Sequence, residues 1–108
     1  MAKILKQDVQ KMLGNVPEGN VFRCCDGRVL VNIPELNDAL GNMSDETFAF
    51  HANQAKNDFS NWVRDIIKDE KLARDLSKAT DRLQAAKSVA ARLSFVLGND
   101  SSKSAFSF

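Results

Sequence analysis

Two cysteines, the histidine and a nearby aspartate are the combination of residues in this 108-residue chain that could support nucleophilic catalysis. Cys24 and Cys25 are adjacent, His51 is the only histidine, and Asp58 follows it by seven residues. A thiol activated by a neighbouring histidine is the arrangement that nucleophilic catalysis needs. On a continuous helix, however, His51 and Asp58 would lie two turns apart and share a face without touching. Since no glycine-rich loop or second histidine accompanies them, the sequence does not favour an enzyme.

The same residues are an unfavourable set of metal ligands. Zinc sites usually take four ligands, with cysteines or histidines at paired spacings. Here one histidine stands alone, and two adjacent cysteines would point to opposite faces of a strand. A disulfide between neighbours would need unusual geometry, so we expect free thiols in a reducing compartment. We therefore expect no metal and no cofactor.

The composition is that of an ordinary folded domain. Hydrophobic residues make up 44% of the chain and charged residues 27%, and the net charge of +1 gives no overall attraction to nucleic acid or anionic lipid. No apolar run approaches the roughly 20 residues that span a bilayer. The start, MAKILKQDVQ, lacks the apolar block of a signal peptide. We expect a cytoplasmic protein with no membrane partner.

An aromatic cluster surrounds the histidine and offers a structural interpretation of it. Six residues follow one helical face: Phe48, Ala52, Ala55, Phe59, Trp62 and Ile66. Because large aromatic side chains dominate core burial, we interpret His51, Asp58, Phe59 and Trp62 as a structural motif. His51 would bond a loop carbonyl at the border of this face, and Asp58 would cap the helix that holds Trp62. Whether Asn57 and Asp58 break the helix stays open.

The remaining patterns predict a mainly α domain of five to six helices with one β-hairpin at about residues 21–31. Helices are expected at about residues 3–13, after the N-cap candidates Asn32, Ser44 and Asp69, and from Thr80 or Asp81 to about Leu97. Gly14 and Gly41 would end their helices, Gly14 in a left-handed conformation. Residues 1–98 would form the domain, and residues 99–108 a flexible tail.

The dipeptide Asp26-Gly27 predicts the register of the hairpin. It suits a two-residue turn, which would pair Cys25 with Arg28 and Phe22 with Val31. The face turned toward the helices would then carry Phe22, Cys24, Val29 and Val31.

Three segments together form a recognisable pattern: CDGRVLVNIPEL, the pair Phe50-His51, and KNDFSNWVRDIIKDEKLARDL. With its aromatic-His pair, its Asn-Asp-Phe-x-x-Trp run and a helix that begins near Asp-x-x-Leu-Ala, the stretch from about residue 21 to residue 76 resembles an uncharacterised prokaryotic domain family of unknown function. The resemblance covers about half of the chain. It implies a small domain, sometimes attached to larger proteins, with no established activity, and it supplies no catalytic residue.

A basic stripe gives one binding hypothesis. Its six cations recur every three or four residues: Arg64, Lys68, Lys71, Arg74, Lys78 and Arg82. Acidic residues are interleaved with them, and strong nucleic-acid binding needs several uncompensated cations. We expect any binding of nucleic acid to be weak.

The last predicted helix gives the preferred hypothesis, protein interaction. Leu83, Ala86, Ala90, Leu93 and Leu97 alternate at spacings of three and four, and Val89 and Val96 widen this stripe. The stripe could be the core face of the monomer or a surface for self-association. In the tail, Phe106 and Phe108 could enter a groove of a partner or extend the edge of a sheet. The candidate partner-binding residues are Leu93, Leu97, Phe106 and Phe108, and we expect a non-enzymatic interaction module with a protein partner or a homo-oligomer; a cysteine-dependent enzyme ranks last.

Overall fold

A computed structural model describes residues 6–98, and within them the prediction of a mainly α domain with one hairpin is confirmed. The helices are α1 (Lys6–Leu13), α2 (Ile33–Asn42), α3 (Asp45–His51), α4 (Asp58–Trp62), α5 (Glu70–Lys78) and α6 (Arg82–Gly98). Strands β1 (Phe22–Arg23) and β2 (Val29–Leu30) form the antiparallel hairpin. A 3-10 turn spans Glu18–Asn20, and a π-helical turn, Val63–Ile67, extends α4. The start of the first predicted helix and the predicted tail lie outside the described residues.

Side-chain caps fix where five of these helices begin. An oxygen of each cap accepts a backbone N–H three residues later, as a helix N-terminus requires. The caps are Asn32 for α2, Ser44 for α3, Asn57 for α4, Asp69 for α5 and Asp81 for α6. In α6, Gln84 also accepts the N–H of Thr80 at 3.0 Å, which completes a reciprocal capping arrangement. The predicted starts after Asn32, Ser44 and Asp69 are confirmed.

Gly14 and Gly41, which were predicted to end helices, do not act as predicted. Gly27 is the glycine with a left-handed φ within residues 6–98, so Gly14 does not adopt the predicted conformation. Gly14 instead approaches the carbonyl of Gln10 so closely that an added Cβ would lie 2.8 Å from it. Helix α2 continues through Gly41 to Asn42. It ends there because Met43 turns into the core in an extended conformation.

The hairpin register differs from the prediction by one residue. Phe22 pairs with Leu30 and Arg23 with Val29, while the N–H of Cys24 donates to the carbonyl of Arg28 at 2.8 Å. The loop therefore has three residues and ends at Gly27, whose φ of 97° is the left-handed conformation that such loops need. Successive strand residues point to opposite faces, so this shift exchanges the residues of β2 that face the helices with those that face water. Leu30 is buried and Val29 is 45% exposed.

Helices α2 and α5 pack against α6 around one core. Its largest fully buried side chains are Phe59, Ile33, Leu36, Leu40, Ile67, Leu72, Leu76, Val63, Val89 and Val96. None of the helices within residues 6–98 is both long and apolar enough to cross a bilayer.

Helix α6 buries one side of the predicted stripe and exposes the other. Ala85, Val89 and Val96 are buried, whereas Leu83 and Leu97 are 61% and 39% exposed. Two arginines on the inner side of α6 hold this rotation. Arg92 binds the Asp69 carboxylate beside α5, and Arg82 donates to the carbonyl of Leu40 in α2. The core-face alternative therefore holds for Val89 and Val96 and does not hold for Leu83 and Leu97.

Candidate functional site

A tight turn separates the two helices that carry the histidine and the aspartate. Helix α3 ends at His51, and the N–H of Asn53 donates to the carbonyl of Lys56 at 2.8 Å to close the turn. Asn57, and not Asp58, caps α4 by accepting the N–H of Ser60 at 3.0 Å. The predicted capping role of Asp58 is wrong because the turn directs its carboxylate back toward α3.

His51 and Asp58 are in direct contact, contrary to the expectation for a continuous helix. His51 Nδ1 lies 3.0 Å from Asp58 Oδ2, and His51 Nε2 accepts the backbone N–H of Cys25 at 3.0 Å. Because Nε2 accepts a hydrogen bond, the proton of the neutral ring is on Nδ1 and is donated to Asp58. The buried ring thus links α4 to the hairpin loop. It receives a bond from a loop amide, whereas the sequence predicted a bond to a loop carbonyl.

Cys25, His51 and Asp58 are the residue types of a catalytic triad, but Cys25 contacts the ring through its backbone N–H, which occupies the acceptor atom Nε2. A histidine that activates a thiol must accept its proton, and Nε2 is bonded to the backbone of Cys25. The other thiol, Cys24, is buried, and this burial raises its pKa above the usual range. A raised pKa disfavours the thiolate that acts as nucleophile. The arrangement is suited to anchoring the hairpin loop.

The carboxylate of Asp58 also receives a cation. Lys56 Nζ lies 2.9 Å from Asp58 Oδ2 and 4.8 Å from the centre of the Phe50 ring. Partial burial alone would raise the pKa of Asp58, but hydrogen bonds from Lys56 and His51 outweigh it and hold the pKa below its usual value. Asp58 is therefore held as an anion between two donors.

Aromatic side chains enclose the histidine, as the structural interpretation expects. The Phe22 ring stacks on Phe59 at 5.0 Å and meets the rings of His51 and Trp62 edge-on at 5.1 and 5.8 Å. Trp62 is buried, and its Nε1 donates to the carbonyl of Asn20 at 2.8 Å. Phe59 and Trp62 are core residues here, together with Phe48.

Ala55 is the exception on the predicted helical face. It lies in the turn between α3 and α4 and is exposed.

The predicted basic stripe is divided between ion pairs and separate cavities. Three of its six cations form ion pairs with acidic side chains. The pairs are Arg64–Asp65 at 3.0 Å, Lys71–Asp75 at 2.6 Å and Arg82–Asp45 at 2.8 Å. Arg64 and Arg74 line one shallow cavity of about 240 Å³, whereas Lys68 and Lys71 line another of about 280 Å³. Lys78 is exposed near the end of α5. These positions do not place the six cations around one binding surface.

A buried ion pair at the start of α5 was not predicted from the sequence. Arg92 Nε lies 2.9 Å from Asp69 Oδ2, and both side chains are largely buried. Arg92 Nη2 also donates to Oδ1, the oxygen that caps α5. An arginine between Val89 and Val96 on one helical face was the available indication, because such a residue needs a buried partner.

Apolar side chains on the outer side of α6 form the second candidate site. Of the five large apolar side chains exposed within residues 6–98, three lie on α6, namely Leu83, Phe95 and Leu97. We define the α6 seam as Leu83, Ala86, Ala90, Leu93 and Leu97. Leu93 and Ala86 are half-buried against the core, and Ala90 is exposed. Spacings of three and four are those of paired helices.

The other two candidate partner-binding residues, Phe106 and Phe108, lie outside the described residues. Within the described part of the chain, no group of three or more His, Cys, Asp or Glu residues is placed to hold a metal ion. Comparisons with protein-family models, curated proteins and solved structures found no match to this chain.

Proposed function

We propose that this chain is a non-enzymatic protein-interaction module of the cytoplasm that associates with a second copy through the α6 seam. The observation that carries the proposal is the exposure of Leu83 and Leu97, 61% and 39%, on a helix that already buries another face. Water contact at these leucines is unfavourable, and a second apolar seam would remove it. Ala90 lies midway between them and permits a close approach of two helices.

The magnitude of this burial predicts a weak dimer. The exposed fractions of Leu83 and Leu97 add up to about one leucine per copy, so their burial contributes about 4 kcal/mol to a dimer. Association itself costs from about 4 to more than 15 kcal/mol. The leucines offset only the lower end of that cost, and close packing at Ala90 must supply the rest. We expect a dimer that dissociates on dilution.

An antiparallel pair covers both exposed leucines of each copy. When two copies of α6 cross at Ala90, Leu83 of one copy packs beside Leu97 of the other, and the interface has two-fold symmetry.

Sedimentation of the full chain over a range of concentrations up to about 1 mM tests the proposal, because weak dimers form there. The wild-type mass should rise with concentration, and a variant with Leu83→Glu and Leu97→Glu should stay monomeric. Val29→Glu is the matched control, since it adds an acid at an exposed apolar residue away from α6. A wild-type monomer at every concentration, or equal dimerisation of the Leu83→Glu, Leu97→Glu variant, would refute the proposal. Thermal melts check that each variant is folded.

The alternatives have less support. Weak nucleic-acid binding would use the basic stripe, but the ion pairs of Arg64, Lys71 and Arg82 leave fewer cations for phosphates. A cysteine-dependent enzyme would need His51 Nε2, which the backbone of Cys25 occupies. The resemblance of residues 21–76 to an uncharacterised domain family remains a prediction and is neutral between these functions.

A further inference from the structure

A groove between α5 and α6 lies on the side of α6 away from the seam. Its volume is about 660 Å³, and Ser88, Ala91 and Phe95 of α6 line it together with Lys71 and Asp75 of α5. Ala91 is about 100° around the helix from Ala90, so the groove and the seam are separate surfaces. A partner that covers one surface leaves the other accessible.

The groove combines the apolar side chains of Ala91 and Phe95 with four charged residues: Lys71, Asp75, Lys87 and Arg92. Phe95 is 46% exposed, and the guanidinium of Arg92 lies 5.5 Å from the centre of its ring. Lys71 and Asp75 form an ion pair along one side, with Nζ and Oδ2 2.6 Å apart. The volume of the groove lies within the range of roughly 300 to 1,000 Å³ that is usual for ligand-binding pockets.

We propose that the chain's own residues 105–108, which contain Phe106 and Phe108, occupy this groove. In an extended segment, residues two apart point to the same side, so both rings can enter together. Extended segments with alternate anchor side chains are a common mode of groove recognition. The preceding residues, NDSSKS, contain no apolar side chain and suit a connection that stays in water.

Chain length permits this contact within one molecule. Helix α6 ends at Gly98, and Phe106 is eight residues further along, a reach of about 26 Å when extended. The groove residues from Lys87 to Phe95 lie within about 16 Å of Gly98 along the helix axis. A short covalent connection raises the effective concentration of the end of the chain at the groove to about the millimolar range. Docking within one chain is therefore favoured over exchange between copies at lower protein concentrations.

Amide resonances of the full-length chain test the proposal. A variant with Phe106→Ser and Phe108→Ser should shift the amide signals of Ser88, Ala91 and Phe95. A matched variant in the same segment, Ser104→Ala with Ser107→Ala, should leave these signals in place. Because the contact is intramolecular, the difference between the two variants should be the same at all protein concentrations.

A substitution in the groove tests the same contact from the other side. Ala91→Glu places a charge in the groove at an exposed helical position. The heteronuclear NOE of residues 106–108 should be that of ordered backbone in the wild type and should fall to mobile values in this variant. Unchanged groove signals in the double-Ser variant, or a mobile segment in the wild type, would overturn the proposal. So would an effect that disappears on dilution, which would assign the occupant to a second copy.

The seam proposal and the groove proposal are tested separately, because each can be refuted without the other. Leu83→Glu with Leu97→Glu should abolish dimerisation without changing the groove signals, whereas the double-Ser variant should change those signals in the monomer.

Discussion

Breaking the ion pair between Asp69 and Arg92 should destabilise the domain more than any exposed ion pair does. The carboxylate both caps α5 and binds the guanidinium of Arg92 through Nε at 2.9 Å and Nη2 at 3.3 Å. Exposed pairs contribute at most about 1 kcal/mol, whereas removal of one partner from a buried pair costs about 3 to 5 kcal/mol. Since 17% of the Arg92 side chain reaches water, we expect the lower end of that range, about 3 kcal/mol, for Asp69→Asn.

Asp69→Asn is the informative substitution because asparagine caps helices as well as aspartate does. The loss then reports the ionic contact, and Asp69→Ala should cost about 1 kcal/mol more through the lost cap. Arg92→Met keeps an apolar chain of similar reach in the same space. The double variant Asp69→Asn, Arg92→Met should be more stable than the sum of the single losses predicts, because it leaves no charge without a partner.

Urea denaturation measured by the fluorescence of Trp62 is a suitable assay, since this buried residue is the only tryptophan of the chain. The slope of the unfolding free energy against urea should stay constant across the wild type and the four variants, so that midpoints report stability. A cost below about 1 kcal/mol for Asp69→Asn would show that the pair behaves as an exposed one. Single losses that simply add would show that the two residues act independently and would refute the reasoning.

The remaining predictions concern the aromatic cluster. His51→Ala should destabilise the domain by about 2 to 4 kcal/mol by leaving Asp58 and a loop amide without their partner, and hydrogen exchange at the Cys25 amide should accelerate selectively. Trp62→Phe should cost about 1 kcal/mol for the lost bond to Asn20, and Trp62→Ala about 3 to 5 kcal/mol, both measured by circular dichroism during urea unfolding. Because the folded-state pKa of Asp58 lies below its ordinary value of 3.8, its stabilisation is present above that pH and is lost as the pH falls through the folded-state pKa. Asp58→Asn should remove this part of the acid dependence, and an unchanged difference between wild type and variant from pH 6 to pH 3 would contradict it.

Helix starts were predictable because a cap depends on atoms only three residues apart. Asn32, Ser44 and Asp69 each satisfy a nearby N–H, and the sequence contains all the information needed for that bond. The hairpin register was not predictable in this way. Asp26-Gly27 suits loops of two or three residues, and the choice between them depends on whether Leu30 or Val29 is buried against the helices.

The candidate site was harder to predict because its bonds join distant parts of the chain. The contact of His51 with Asp58 required the turn at residues 52–57, where the apolar period had indicated a continuing face. The rotation of α6 is set by Arg82 and Arg92, which bind groups 42 and 23 residues away. A helix with apolar residues on several sides has no unique core face in its sequence, so these long-range polar bonds decide it.

The same rotation predicts that mutations can separate stability from the proposed association through the α6 seam. The polar bonds of Arg82 and Arg92 hold Ala85, Val89 and Val96 in the core, and Leu83 contributes little to that core because more than half of its side chain is exposed. A polar residue at position 83 should therefore leave the monomer folded, since surface substitutions usually change stability by less than about 0.5 kcal/mol. If Leu83→Glu unfolds the chain, the exposed seam belongs to the core in solution and cannot also be an interface. If the variant stays folded and loses dimerisation, the leucines on the outer side of α6 act in association and not in the fold.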